Sequence, residues 1–476
     1  MGIWNRKSIE DLAKESTLNE QKLGRHLGPI QLVMLGIGCI IGAGIFSITG
    51  IAAAQNAGPA IILSFLIAAI GCAAAGLCYS ELAAMIPIAG SAYTYAYVAF
   101  GELIAWLIGW NLILEYAIGA ATVAISWSAY VVSFLHDIGI TLPLSLLTSP
   151  WQSISHSSGQ EVAGVINLPA VLILAATSCI LIIGIQQSAL INAVMVTIKI
   201  SIVLLFIGIG FFYIDPANYH PFIPKNEGNF GEFGWSGIFR GAGVVFFAYI
   251  GFDAVSTVSE ETKEPQRNVP IGIIGSLIIC TILYMLFSWV LVGLVNYQEI
   301  NIAAPVISAI ASTPYPWLKA LVKFAIVLGL SSVILVMLLG QSRIFYAMAC
   351  DGLLPSIFSR TLPHYQTPWI STLILTCFVA LIAAFVPIQI LGHMTSIGTL
   401  LAFACVCLAV IILRKRDPDW KRPFKTPWVP YVPLFGIVVC LSMMLSLGQA
   451  TWIRLIVWIA IGIALYFLYG NKSKKI

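Results

Sequence analysis

Leu35-Gly-Ile-Gly-Cys-Ile-Ile-Gly-Ala-Gly-Ile-Phe46 lies inside a hydrophobic stretch of membrane-spanning length and interrupts it near the middle with small residues. A second stretch, Gly241-Ala-Gly-Val-Val-Phe-Phe-Ala-Tyr-Ile-Gly-Phe-Asp253, is interrupted in the same way. Each interruption frees backbone N–H and C=O groups at mid-membrane depth, where lipid cannot satisfy them. Such a break survives only where it lines a cavity or grips a ligand. Two of them in one chain point to a transport protein.

The composition fixes the medium. The 476 residues are 59% hydrophobic and 9% charged, with a mean hydropathy of +0.95, against roughly 25% charged in soluble domains. The chain therefore reads as a polytopic membrane protein, all-α in class. Apolar runs of about 20 residues begin near residues 30, 60, 100, 168, 190, 236, 270, 317, 368, 390, 428 and 450, which predicts twelve transmembrane helices. Residues 1–29 hold Arg6, Lys7, Lys14, Lys22 and Arg25 without a short apolar core and cleavage site, so the N-terminus is expected to be retained.

The distribution of Lys and Arg sets the orientation. With the N-terminus inside, twelve spans place 18 of the 24 basic residues on the cytoplasmic side, including the six from Arg414 to Lys425. Both termini are thus expected in the cytoplasm. The basic residues flank spans and form no single face, which leaves a nucleic-acid partner without support. The ten cysteines fall within or at the ends of apolar runs and include no CxxC pair. They read as reduced packing residues, with neither a metal site nor a cofactor implied.

The break at Gly42 has a counterpart at Gly251, 209 residues later, and each opens a set of five spans. Five is odd, so the second set runs with opposite polarity, as in the inverted repeats of many secondary transporters. The expected organisation is an N-terminal cytoplasmic arm at 1–29, helices 1–5 at 30–213, helices 6–10 at 236–413, a basic loop at 414–426, and helices 11–12 with a tail at 427–476.

In this frame the breaks carry opposite partial charges. The outer half of span 1 begins near Ala43 and Gly44, where N–H groups present a positive helix end suited to a carboxylate. The outer half of span 6 ends near Phe247, Ala248 and Ile250, where carbonyls form a negative end suited to an ammonium; Ile40 supplies another carbonyl. The two poles match an α-amino acid zwitterion, and Gly42 and Gly44 are expected to let the ligand approach the backbone. The alternative is that the glycines only pack helices closely, a common use in one segment alone.

Lys199 stands deep in span 5. A lone ammonium at that depth is costly and marks a functional site by default, and an amine there that gains and loses its proton suits proton coupling. The alternative is a fixed ammonium bonded to helix-end carbonyls. Glu115 in span 3 and Asp253 after the second break are candidates for gating or proton relay. For Asp253, capping of the following helical N–H groups is the plainer role. Glu81, near the end of span 2, reads as structural.

The quoted segments, with Glu260-Glu-Thr-Lys-Glu-Pro-Gln-Arg-Asn-Val-Pro-Ile-Gly272 and Gln341-Ser-Arg-Ile-Phe-Tyr-Ala-Met-Ala-Cys-Asp-Gly-Leu-Leu-Pro355, resemble the signatures of the amino acid, polyamine and organocation superfamily. Within it the chain looks most like bacterial homologues of the cationic amino acid transporters. The resemblance implies a LeuT-type fold of ten core helices plus two, with helices 1 and 6 discontinuous. It also implies alternating access and proton-driven amino acid import at the cell membrane. It places ligand contacts at Ile40, Ala43, Gly44, Phe247, Ala248 and Ile250, and the coupling lysine at Lys199. Ala43 departs from the hydroxyl residue common at its position, which removes one side-chain bond to the carboxylate. Met337 occupies a pocket-facing position that limits substrate size in this branch, so small neutral amino acids such as alanine are expected over arginine or lysine. An exchanger without net proton movement, a cationic amino acid transporter on the same fold and a non-transporting receptor are the rival readings. A small membrane-protein partner is left open.

Overall fold

Backbone groups within lipid must be bonded inside their own segment, and the chain meets this demand with helices nearly throughout. The structure, a computed structural model, describes residues 6–7, 25–42, 44–147, 149–150, 153–155, 161–300, 305–386, 388–446 and 449–470. Among them, eight helices are long and apolar enough to cross a membrane, and four shorter apolar helices accompany them.

Helix α1 (Pro29–Ile40) starts on a proline, which has no N–H to leave unpaired, and the Gly28 N–H before it donates to Gln31 Oε1 at 2.6 Å. The chain then turns extended at Ile41 and resumes as a π-helical turn at Gly44–Ile48, continuing into α2 (Thr49–Ala52). Next come α3 (Ile61–Met85), α4 (Ala92–Phe100), α5 (Glu102–Ile113) with a π-helical turn at Leu114–Ile118, and α6 (Gly119–Asp137). Helix α7 (Leu168–Ile183) is capped by Asn167, whose side chain accepts from the Ala170 N–H at 3.3 Å. After α8 (Ile185–Phe211), the second interrupted element is α9 (Gly234–Phe246), a 3₁₀ turn at Phe247–Tyr249 and α10 (Ala254–Thr257). Helices α11 (Pro265–Leu294), α12 (Pro305–Ala311), α13 (Trp317–Cys350), α14 (Trp369–Phe385), α15 (Ile388–Arg416), α16 (Tyr431–Ser446) and α17 (Gln449–Leu465) complete the chain.

One feature departs from an all-α class. Between α6 and α7, β1 (Ser153–Ser155) pairs antiparallel with β2 (Glu161–Ala163). A hairpin of three-residue strands suits a polar connection, where water satisfies the outer edges that lipid cannot.

The two interrupted elements sit in corresponding surroundings. Helix α11 packs on α3 and on α1, while α9 packs on α3; α13 packs on α6 and α8, and α14 on α7. At one end of the bundle, buried charges tie the helices together. Arg343 on α13 pairs with Glu261 at 2.8 Å, both side chains 1% exposed. Glu81 on α3 accepts from Arg414 Nε at 2.8 Å and Nη2 at 2.9 Å, and from the Thr426 N–H at 2.7 Å. Arg422 also lies 3.4 Å from it. Removing one partner from a pair this deep costs about 3–5 kcal/mol, so Glu81 has the structural role its position suggested. Lys7 pairs with Asp351, which also accepts from the Tyr93 hydroxyl at 2.6 Å.

Candidate substrate site

Both glycine-rich segments are broken in three dimensions. Helix α1 stops at Ile40, Ile41 adopts φ −78° and ψ 97°, and helical geometry returns at Gly44. In the second segment Ile250 is extended at ψ 136°, and Gly251 takes φ +117°, a conformation open to glycine and strained for other residues. Ala43 lies outside the described residues.

The breaks touch each other. A Cβ added at Gly44 would lie 2.5 Å from both Cα and Cβ of Ala248, and one at Gly251 would lie 2.5 Å from Cys39 Sγ. A Cβ at Gly42 would meet Val333 of α13 at 2.8 Å. The space these glycines leave is therefore filled by protein, where the sequence suggested a ligand. Their smallness brings the two interrupted backbones together, which is the close-packing use of glycine that the sequence offered as the alternative.

The carbonyls expected to face an ammonium have a protein partner that the sequence did not reveal. The Tyr284 hydroxyl on α11 stands 2.8 Å from the Ile40 carbonyl oxygen and 2.8 Å from that of Ala248. It has one hydrogen to donate, whereas each carbonyl offers two lone pairs, so acceptor capacity remains on both. The Phe247 carbonyl takes the Ile250 N–H at 3.3 Å, closing the 3₁₀ turn. Phe247 is half-buried, while Ala248 and Ile250 are buried.

Lys199, carried by α8, is wholly buried and joins the same place from behind. Its ammonium donates to the carbonyls of Gly38 at 3.0 Å and Ile41 at 2.8 Å and to Ser332 Oγ at 2.8 Å. All three of its donors are thereby engaged. Ser332 also reaches the Gly38 carbonyl at 2.9 Å, linking α13 to the end of α1. The carbonyls that close α1 are held by a cation, as the end of a helix favours.

Asp253 stands at the N-cap of α10 but makes no capping bond with its side chain. Its Oδ2 accepts from the Tyr116 hydroxyl of the π-helical turn, and its Oδ1 is buried without a partner. The capping role expected from sequence is thus replaced by a tie between α10 and the turn at Leu114–Ile118. Glu115, the neighbour of Tyr116, is 1% exposed and has neither carboxylate oxygen hydrogen-bonded. It faces Asp253 and Thr399. Met337 on α13 is 6% exposed and packs against the helix at Gly119, where a Cβ would meet its Sδ and Cε at 3.2 Å. Four residues on, Gln341 is buried with both amide atoms unpaired, as is the Thr395 hydroxyl on α15.

The structure thus gathers Ile40, Gly42, Gly44, Ala248, Ile250 and Lys199 around the crossing of the breaks. Glu115 and Asp253 form a second buried cluster beside it. Tyr284, Ser332 and Tyr116 were missed from sequence; a polar tip in the middle of an apolar span was the available signal. Among the described residues, no group of His, Cys, Asp and Glu is arranged to hold a metal, and no disulfide joins any of the ten cysteines.

Residues 27–466 match the family model described as amino acid permease. A methylthioribose transporter of Bacillus subtilis is 42% identical over 99% of this chain and 98% of its own length. The branched-chain amino acid permease BcaP of the same organism is 42% identical over 100% of this chain and 99% of its own. A vacuolar cationic amino acid transporter of Arabidopsis thaliana is 36% identical over 87% of this chain and 67% of its own length.

Proposed function

The chain belongs to the amino acid permease family, a multi-pass membrane transporter and not an enzyme, and from that premise we propose that it imports small neutral L-amino acids with protons by alternating access. The observation that carries the proposal is the crossing of the breaks, where Gly44 meets Ala248 and Gly251 meets Cys39. It puts the N–H start of one half-helix beside the carbonyl end of the other. A carboxylate at the first and an ammonium at the second is the arrangement an α-amino acid needs.

The proposed frame has twelve spans in two inverted sets, 30–213 and 236–413, with helices 11 and 12 beyond the loop at 414–426. Both termini lie in the cytoplasm and the protein resides in the cell membrane. The packing supports the repeat. The first broken element packs on α11 and the second on α3, while α3 and α11 pack on each other, as a two-fold exchange of the halves requires.

The substrate ammonium is assigned to the carbonyls of Ile40, Ala248 and Ile250, its carboxylate to the N–H groups at Ala43 and Gly44, and its side chain to the region bounded by Met337. Lys199 couples the proton. Three acceptors hold its ammonium, and a neutral amine has only two N–H groups and a lone pair. Loss of the proton leaves one acceptor unserved and loosens the end of α1. Glu115 and Asp253 serve as gate or relay, because the Asp253–Tyr116 bond joins the inner half of the second broken element to span 3.

The test is uptake of labelled alanine into proteoliposomes holding no internal amino acid. Uptake driven by an inward pH gradient is expected, and uptake seen only with internal amino acid would identify an exchanger. Serine is expected to compete better than arginine, and Met337→Ala to narrow that difference. Because one relative carries methylthioribose in its name, that sugar is added as a competitor. Stronger inhibition by it than by serine would displace the amino acid reading.

A further inference from the structure

We propose that the groove between the start of α11 and the Pro423–Phe424 segment is a binding site for an anionic phospholipid. The groove has a volume of 590 Å³ and is lined by Arg267, Ile271, Ile274 and Ile278 on one side and by Pro423 and Phe424 on the other. The proposal rests on the membrane orientation given above, which puts both walls at the cytoplasmic surface.

The arrangement is zoned. Residues 267, 271, 274 and 278 recur at intervals of three and four and share one helix face. From Arg267 to Ile278 that face runs about 16 Å along the axis, comparable to one leaflet of a hydrocarbon layer about 30 Å thick. At the top sits the Arg267 guanidinium, exposed and paired with no side chain among the described residues. Below it Ile271 is 42% exposed and Ile278 54% exposed. A charged head over an apolar track is the shape of a phospholipid, and a soluble anion would leave the track unused.

The opposite wall is rigid. Arg422 donates to the carbonyls of Leu413 at 3.0 Å and Asp417 at 2.7 Å, and Thr426 is tied to Glu81, so Pro423 and Phe424 are fixed from both sides. The charge is one-sided as well. Segments 263–267 and 421–425 carry Lys263, Arg267, Lys421 and Lys425 against Glu264, with Arg422 already engaged by Glu81. Basic grooves between helices at the cytoplasmic surface hold acidic head groups.

The experiment is native mass spectrometry of the purified full chain in neutral detergent, titrated with phosphatidylglycerol or phosphatidylcholine of equal acyl length. Preferential retention of phosphatidylglycerol is expected. Arg267→Gln should weaken it about fivefold, the effect of about 1 kcal/mol per basic residue at the surface, while Arg360→Gln, at another exposed arginine, leaves it unchanged. Ile278→Trp, which fills the track, should reduce retention of both lipids and serves as the decisive variant if Arg267→Gln is not monodisperse. Equal retention of the two lipids by the wild type, or unaltered phosphatidylglycerol retention in both groove variants, would overturn the proposal. So would displacement of the lipid by soluble glycerol phosphate at similar concentration, which would mark a phosphate site. The measurement uses neither substrate nor gradient. Failed uptake therefore leaves this site standing, and failed lipid selectivity leaves the transport reading standing.

Discussion

Lys199 and Glu115 are both buried, both carried by helices of the bundle, and both beside the crossing of the breaks, yet their bonding is opposite. Lys199 has every donor engaged, by Gly38, Ile41 and Ser332. Glu115 has neither oxygen engaged, and its neighbour Asp253 has one oxygen free of partners. A buried polar group left unpaired costs about 1–3 kcal/mol and calls for an explanation beyond stability. The cation is thus saturated by helix-end carbonyls and a hydroxyl, whereas the two neighbouring acids are buried with far fewer partners, which makes them the groups whose substitution separates a proton-handling role from a structural one.

The largest effect is expected on the completed side. Lys199→Ala removes three donors from two helix-end carbonyls and a hydroxyl, and alanine uptake should fall about a hundredfold, which corresponds to roughly 3 kcal/mol lost among those groups. The residual uptake should no longer rise as the external pH is lowered. Retention of acid stimulation in this variant would assign coupling to another group and leave Lys199 a fixed strut.

A smaller and different effect is expected from the acid pair. Glu115→Gln keeps the side chain's size and shape and removes only its ability to ionise, so the protein should remain folded, with a melting temperature close to wild type and uptake within about tenfold of it, the effect of roughly 1.4 kcal/mol. The midpoint of the uptake–pH profile should move. An identical profile would remove Glu115 from the proton path and leave only the gate at Asp253 and Tyr116.

The smallest effect is expected where capacity is merely shared. Tyr284→Phe deletes one hydroxyl from between the Ile40 and Ala248 carbonyls. A net hydrogen bond contributes about 1 kcal/mol, so KM for alanine should change by about fivefold with little change in maximal rate. A loss as deep as that of Lys199→Ala would show that the tyrosine holds the breaks together.

The breaks were legible because glycines cluster near the middle of two separate spans, where packing alone is the weaker explanation, and the backbone is extended there at Ile41 and Ile250. Lys199 was legible for a similar reason: an ammonium in an apolar run advertises its cost. What Lys199 bonds was not legible, since Gly38 and Ser332 lie 161 and 133 residues away. The same holds for Tyr284, 244 residues from Ile40. An ordinary aromatic residue in a span gives no sign that its hydroxyl meets two carbonyls. For Asp253 local spacing favoured a cap, but its side chain makes no capping bond and accepts instead from the hydroxyl of Tyr116, 137 residues away. Gly44 was expected to admit a ligand to the backbone, and the structure shows Ala248 at that point instead, a partner that no local pattern names.

A crossing that binds both ends of a zwitterion at once needs both charges on the ligand. Competition against labelled alanine uptake by alaninamide, which lacks the carboxylate, and by lactate, which lacks the ammonium, tests it most directly. Neither compound should inhibit appreciably at concentrations where unlabelled alanine competes fully. Inhibition by either one at a potency matching alanine would contradict the claim, since a single pole would then suffice.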